Sequence, residues 1–273
     1  MSIEHMSIEH VVSADGTRIG FERLGSGPPL VVVHGGTADR SRWAPVAPLL
    51  AERWTLLLVD RRGRGVSGDN PHQEYRLELE VADIVAVVDT AGETVGGPVR
   101  LLGHSYGALC SLEATLLTDR LERVLLYEPP FATPGLPSLE ASVIDRMERQ
   151  LAEGDREAAL ETMFVHGVGV DQQTLELMRR APAWSARLEA VPTLVREVRA
   201  VDRYVLDPVR FSALTVPVRV LMGTESAAHL KASAAATQAA LPHSDIVELP
   251  GQGHAAMDTA PQLFLDEVIR FFT

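Results

Sequence analysis

The residues best placed to do chemistry are Gly103-His104-Ser105-Tyr106-Gly107, a G-x-S-x-G pattern. An apolar run ends at Leu102, and Ala108-Leu-Cys-Ser-Leu-Glu-Ala114 reads as a helix start. Strand, sharp turn and helix are what a serine nucleophile of this kind needs. Such a serine occupies a strained backbone position, and flanking glycines let strand and helix nearly touch. Its hydroxyl then stands at a helix N-terminus, where the dipole favours developing negative charge. A hydroxyl attacks at neutral pH only when a base removes its proton, so the pattern calls for a partner imidazole and a carboxylate to orient it.

The flanking elements form a regular series. Ser7 to Val12 and Arg18 to Leu24 read as a hairpin turned at Ala14-Asp15-Gly16. Leu30 to Val33 and Thr55 to Val59 are continuous apolar runs, as in strands buried on both faces of a parallel sheet. Ser41 to Arg53 is expected to be helical, with Ser41 as a cap. Leu77, Val81, Ile84, Val85 and Val88 lie on one helical face. Further strands are expected over Arg123–Tyr127, Val218–Met222 and Ile246–Leu249, with an alanine-rich helix at about 227–240 and a last helix opened by Pro261. The alternation predicts an α/β fold, a mostly parallel sheet of about eight strands covered on both faces.

Residues 131–205 interrupt it. They show no strand pattern; Leu139, Val143, Ile144, Met147 and Leu151 form a helical stripe that Ser138 is placed to cap. Breaks near Gly154-Asp155, Gly167-Val-Gly169 and Ala181-Pro182 divide the rest into further helices. The expected organisation is a core of residues 6–130 and 206–273 with a helical cap of residues 131–205 above the carboxyl ends of the strands.

Composition narrows the function classes. The 273-residue chain carries a net charge of −12, which disfavours nucleic acid as a partner. The single cysteine, Cys110, allows no intrachain disulfide and reads as a small buried hydrophobe. No apolar run approaches the ~18 residues of a membrane span, and no basic segment precedes an apolar one at the N-terminus. A cytoplasmic protein with no membrane partner is expected; oligomeric state is left open. Met1-Ser-Ile-Glu-His5 repeats at once as Met6-Ser-Ile-Glu-His10, so residues 1–5 are set aside. Gly63-Arg-Gly-Val-Ser-Gly68 satisfies G-x-G-x-x-G, but Asp69-Asn70-Pro71 follows where a dinucleotide site needs a helix. No metal-ligand spacing is present, so neither a metal nor a cofactor is expected.

In order and context these motifs resemble the α/β-hydrolase superfamily over nearly the whole chain. His34-Gly35-Gly36 is similar to that family's oxyanion loop, Asp60-Arg-Arg-Gly-Arg-Gly-Val-Ser67 to its D-x-R-G-x-G-x-S loop, and Gly251-Gln-Gly-His254 to the turn that delivers its histidine. The resemblance implies Ser105 as nucleophile, His254 as base and then acid, and the backbone N–H groups of Gly36 and Tyr106 as oxyanion donors. His104 is the variable position of the elbow, and His34 is expected to hold its loop by hydrogen bonds. The family's usual Asp after the seventh strand is missing: Gly223-Thr-Glu-Ser226 has Ser there. Two carboxylates remain candidates. Glu225 is one residue off, whereas Glu128 follows the sixth strand, where some members, including a subgroup of haloalkane dehalogenases, place a Glu. Glu128 is favoured.

Dehalogenases and epoxide hydrolases of this fold use Asp at the elbow, so Ser105 points to other reactions. The expected function is a serine hydrolase cleaving a small, mainly apolar carboxylic ester or lactone. Phe131, Met163, Phe164, Met178 and Trp184 give the cap its apolar character, and none is assigned to a ligand. Two alternatives stand: the same residues used for C–C hydrolysis, lyase or cofactor-free perhydrolase chemistry, and a non-catalytic small-molecule receptor.

Overall fold

The computed structural model describes residues 7–70, 72–181 and 183–273. The first copy of the N-terminal repeat, Met6, Pro71 and Pro182 lie outside the described residues. β1 (Ser7–Val12) and β2 (Arg18–Leu24) form the hairpin, with Asp15 accepting from the Thr17 N–H and Gly16 at a φ of 86°. β3 (Pro29–Val33), β4 (Thr55–Val59), β5 (Val99–His104), β6 (Leu121–Tyr127), β7 (Val218–Gly223) and β8 (Ser244–Leu249) complete one eight-stranded sheet. Its order is β1-β2-β4-β3-β5-β6-β7-β8; β2 pairs antiparallel with β1 and β4, and every other pair is parallel. The strand order turns between β3 and β5, so the loops leaving those two strands flank the crevice where open α/β sheets bind ligands.

Helices cover both faces. Val31 and Val33 point to the side packed by α2 (Leu77–Thr94) and α3 (Tyr106–Ala114). Leu30 and Val32 point to the side where α1 (Ala47–Leu50) and the C-terminal helix pack with Trp43, Leu50, Phe264 and Val268. The period-two alternation of side chains within a run that is apolar throughout is what a doubly covered strand requires. Ser41 to Arg53 departs from expectation. A 3-10 turn, Arg40–Trp43, is capped by Asp39 rather than Ser41 and is followed only by the single turn of α1. Pro45 and Pro48 each lack the N–H that a continuous helix would use.

Between β6 and β7 the chain forms α4 (Ala141–Ala152), α5 (Arg156–Thr162), a π turn (Met163–Val168), α6 (Gln172–Arg179), α7 (Trp184–Arg203) and α8 (Pro208–Phe211). α9 (Ala228–Ala240), α10 (Ala256–Thr259) and α11 (Pro261–Phe272) follow. Ser138 does not cap α4: Glu140 holds that position without a side-chain bond, and the Ser138 hydroxyl is buried with no hydrogen-bond partner among the described residues. The helical insert has apolar clusters of its own, one built on Ile144, Met147 and Leu194, another on Leu160, Phe164 and Trp184. Charge ties it to the loop after β4. Glu197 of α7 accepts from Arg61 (3.0 Å) and Arg64 (2.5 Å), and all three side chains are at most 2% exposed. No helix among the described residues is long and apolar enough to cross a membrane.

Truncating Glu197 removes the carboxylate that two buried guanidinium groups share and leaves Arg61 with the carboxylate of Glu80 alone. Glu197→Ala is expected to cost about 3–5 kcal/mol of unfolding free energy, whereas Glu148→Ala, at the exposed Arg199 pair, costs about 1 kcal/mol or less. Urea denaturation of the two variants checks the contrast.

Candidate active site

Ser105 lies between the end of β5 and the start of α3, at φ 54° and ψ −127°. Its N–H donates to the Tyr127 carbonyl (2.8 Å), and its own carbonyl accepts from Ala108 (2.7 Å) and Leu109 (3.1 Å). The glycines around it have steric work to do. A Cβ on Gly107 would collide with the His34 carbonyl oxygen and lie 2.8 Å from that of Val33; one on Gly103 would lie 2.7 Å from the Ala108 Cα. Strand, helix and the loop after β3 therefore meet at a distance that only glycine permits. Ser105 opens on a cavity of about 840 Å³ between the sheet and the helices inserted after β6.

The loop after β3 is held from behind. The Gly35 carbonyl accepts from Arg61 Nη2 (3.1 Å) and His34 Nδ1 (2.8 Å). His34 Nε2 in turn accepts from the Arg61 N–H (3.2 Å), which places the ring proton on Nδ1. Burial and the Arg61 charge push the His34 pKa well down, so the ring stays neutral. Because the peptide is trans and planar, fixing the Gly35 carbonyl aims the Gly36 N–H the opposite way. The Tyr106 N–H, first in its helix, has no intrahelical acceptor. Neither N–H has a hydrogen-bond partner among the described residues, and both residues line the cavity.

His254 sits in the turn between β8 and α10, also on the cavity. Its Nδ1 is hydrogen-bonded to Glu128 Oε2, while Glu128 Oε1 accepts from the Gly223 N–H at 2.7 Å. Glu128 is fully buried at the end of β6, at a φ of 49°. Burial alone would raise its pKa, but the His254 hydrogen bond and charge, with the Gly223 N–H, outweigh it and hold the carboxyl below its ordinary value. Glu225 is exposed; its backbone N–H donates to Gln252 O, and its carboxylate meets the Thr224 hydroxyl rather than the imidazole. Among the described residues no hydrogen bond joins Ser105 Oγ to His254, although both face the same cavity. Contacts of this kind often tighten only once substrate is bound.

Two residues that sequence reasoning passed over set the position of His254. His104 Nε2 donates to the His254 carbonyl at 2.8 Å, and its pKa is pushed well down by burial and by the neighbouring His254. The Tyr127 hydroxyl bonds the Gly253 carbonyl and accepts from the Ala256 N–H (3.2 Å). Their only signal in the sequence is position: both stand at strand ends that lead into the site. Of the five apolar residues that give the insert its character in the sequence, Met163, Phe164 and Met178 line the cavity, and Phe131 and Trp184 lie only in the hydrophobic clusters. Among the described residues no group of three or more His, Cys, Asp or Glu is arranged to hold a metal.

Comparison with known proteins agrees with this architecture. Residues 30–267 match the sequence profile of the alpha/beta hydrolase family. The chain superposes on an alpha/beta hydrolase from Sphaerobacter thermophilus with a TM-score of 0.83 at 34% identity, over 97% of this chain and 100% of that one. It is 25% identical to 2-(acetamidomethylene)succinate hydrolase of Mesorhizobium japonicum, over 93% of this chain and 91% of the relative. It is 27% identical to the pimeloyl-[acyl-carrier protein] methyl ester esterase of Aeromonas salmonicida, over 93% and 98% respectively.

The lowered pKa of Glu128 makes its contribution to stability depend on pH. The contribution is complete above the ordinary carboxyl value of 4.5 and is lost as pH falls through the lower folded-state value. The difference in unfolding free energy between the wild type and Glu128→Gln should therefore be largest near neutrality and shrink on acidification below about pH 4.5. Urea titrations across that range test this; a difference that widened in acid would contradict it.

Proposed function

The chain belongs to the alpha/beta hydrolase family, and from that premise we propose that it is a serine hydrolase that cleaves a small carboxylic ester or lactone through an acyl-enzyme. The observation that carries this reading is the His254–Glu128 hydrogen bond on the same cavity as a serine held in a positive-φ elbow. Ser105 Oγ attacks the acyl carbon as His254 Nε2 takes its proton. Glu128, ionised and buried, holds the Nδ1–H tautomer and stabilises the imidazolium that forms. The carbonyl oxygen becomes an oxyanion facing the Gly36 and Tyr106 N–H groups; one such donor is worth ~3–4 kcal/mol in the transition state. Collapse expels an alkoxide, which His254 protonates. Water, deprotonated by the same imidazole, then attacks the acyl-enzyme and releases the acid and Ser105.

Several features support an ester or lactone as substrate. Ser at the elbow, rather than Asp, directs the first step to acyl transfer. Met163, Phe164 and Met178 give the cavity an apolar wall suited to a small organic acyl group. One relative is named as an esterase and another as a hydrolase of a substituted succinate.

Ser105→Ala is expected to abolish labelling by a fluorophosphonate probe and turnover of p-nitrophenyl esters while the thermal unfolding transition remains. Glu128→Gln should lower kcat by roughly two to four orders of magnitude, and Glu225→Gln should leave it within about threefold. Labelling that survives Ser105→Ala would remove the nucleophile assignment, and the reverse ranking of the two glutamates would reassign the acid.

A further inference from the structure

We propose that Arg187 binds a carboxylate carried by the substrate, so that the cavity selects a monoanionic ester or lactone; this rests on the serine hydrolase reading above. Arg187 projects from α7 of the helical insert into the cavity. Its Nη1 reaches the carbonyl and hydroxyl of Thr37 at 3.3 and 3.4 Å, one residue past Gly36. The guanidinium therefore stands beside the place where the reacting carbonyl oxygen would sit.

Its surroundings set it apart from other arginines at this site. Arg42, also on the cavity, pairs with Asp258; Arg61 and Arg64 pair with Glu197; Arg196 pairs with Asp69. Arg187 forms no ion pair among the described residues, and its Nε–H and Nη2 edge has no hydrogen-bond acceptor there. Its guanidinium carbon lies 5.4 Å from the centre of the Phe164 ring, over an apolar wall. Burial, reinforced by the Arg42 charge, lowers its pKa to about 10, so it is still charged at neutral pH. Asp258 and Asp39 lie close enough to oppose that shift, but Asp258 is taken by Arg42 and Asp39 caps the 3-10 turn.

A partly desolvated cation with an open fork edge is short of one anion. The planar edge matches a carboxylate in bidentate geometry. The substrate so described has an apolar body against Phe164 and Met178 and one carboxylate a few bonds from the carbonyl under attack. The chain's net charge of −12, and Arg187 as the one unpaired guanidinium among the described residues lining the cavity, suit a monoanion better than a phosphate dianion.

The test compares kcat/KM for mono-p-nitrophenyl glutarate and for the neutral p-nitrophenyl pentanoate. The wild type is expected to favour the anionic ester, and Arg187→Met to cut that ratio by about 10- to 100-fold, with Arg187→Lys keeping part of it. Free glutarate should inhibit the wild type competitively and raise its melting temperature, with both effects lost in Arg187→Met. If Arg187→Met does not fold, the Lys variant and the glutarate effects on the wild type decide. A wild-type ratio at or below one, or a ratio unchanged by Arg187→Met, overturns the proposal. If neutral esters are cleaved and Ser105 is labelled without any carboxylate preference, this inference falls while the hydrolase reading stands. If Ser105 is never labelled, the hydrolase reading falls, and lack of glutarate binding then also ends the carboxylate site.

Discussion

The guanidinium of Arg61 is the interaction on which the rest of the site depends. It is 1% exposed and donates to Glu80 of α2 (3.1 Å), to Glu197 of α7 and to the Gly35 carbonyl, while lying over the Tyr106 ring at 4.9 Å. A cation so deeply buried is tolerable only because two carboxylates and a carbonyl replace its water. Those carboxylates push its pKa further up, so it carries its charge at any ordinary pH. One side chain thereby joins α2, which packs on the sheet, α7 of the insert, the loop after β3 and the first residue of α3. The contact that fastens the insert also orients the Gly35–Gly36 peptide, so fold and site are not separable there.

Backbone strain follows the same geography. Among the described residues the non-glycine positions with positive φ are Thr37, Ser105 and Glu128. One is in the loop leaving β3, and the other two directly follow β5 and β6. Each such conformation costs of order 1–3 kcal/mol and persists only where its surroundings over-determine it. Here the parallel ladder does so: Ser105 donates to Tyr127 O, and Glu128 donates to Leu221 O. The ends of β5 and β6 thus act as rigid mounts, one turning Ser105 onto the cavity and the other setting Glu128 behind His254. The His254 turn carries no such strain and is instead pinned by the Tyr127 hydroxyl and the His104 ring.

Much of this was legible from pattern. Strands β3 and β4 are apolar throughout, and the α2 stripe keeps a helical period, because burial on two faces or on one leaves that trace in residue type. The elbow was legible because its close approaches exclude a Cβ. The stretch after β3 was misread because Asp39 outcompetes Ser41 as cap and two prolines break the hydrogen-bond ladder. His104 looked idle because nothing in its neighbours along the chain announces a bond to a carbonyl 150 residues away.

Residue order alone carries the succession of strands and helices, the place of Ser105 in a glycine-flanked turn and the break into a helical segment after β6. These are local properties, set by periodicity and steric exclusion over a few residues. The hydrogen bond from His254 to Glu128, with Glu225 turned to the Thr224 hydroxyl, is visible only in the folded chain, since it depends on which strand end faces the turn carrying His254. The folded chain also shows that Glu197 holds two arginines of a distant loop, and that among the described residues Arg187 has none of the carboxylates that Arg42, Arg61 and Arg64 have. Pairing of charges is a matter of distance in space, and sequence separation carries no information about it.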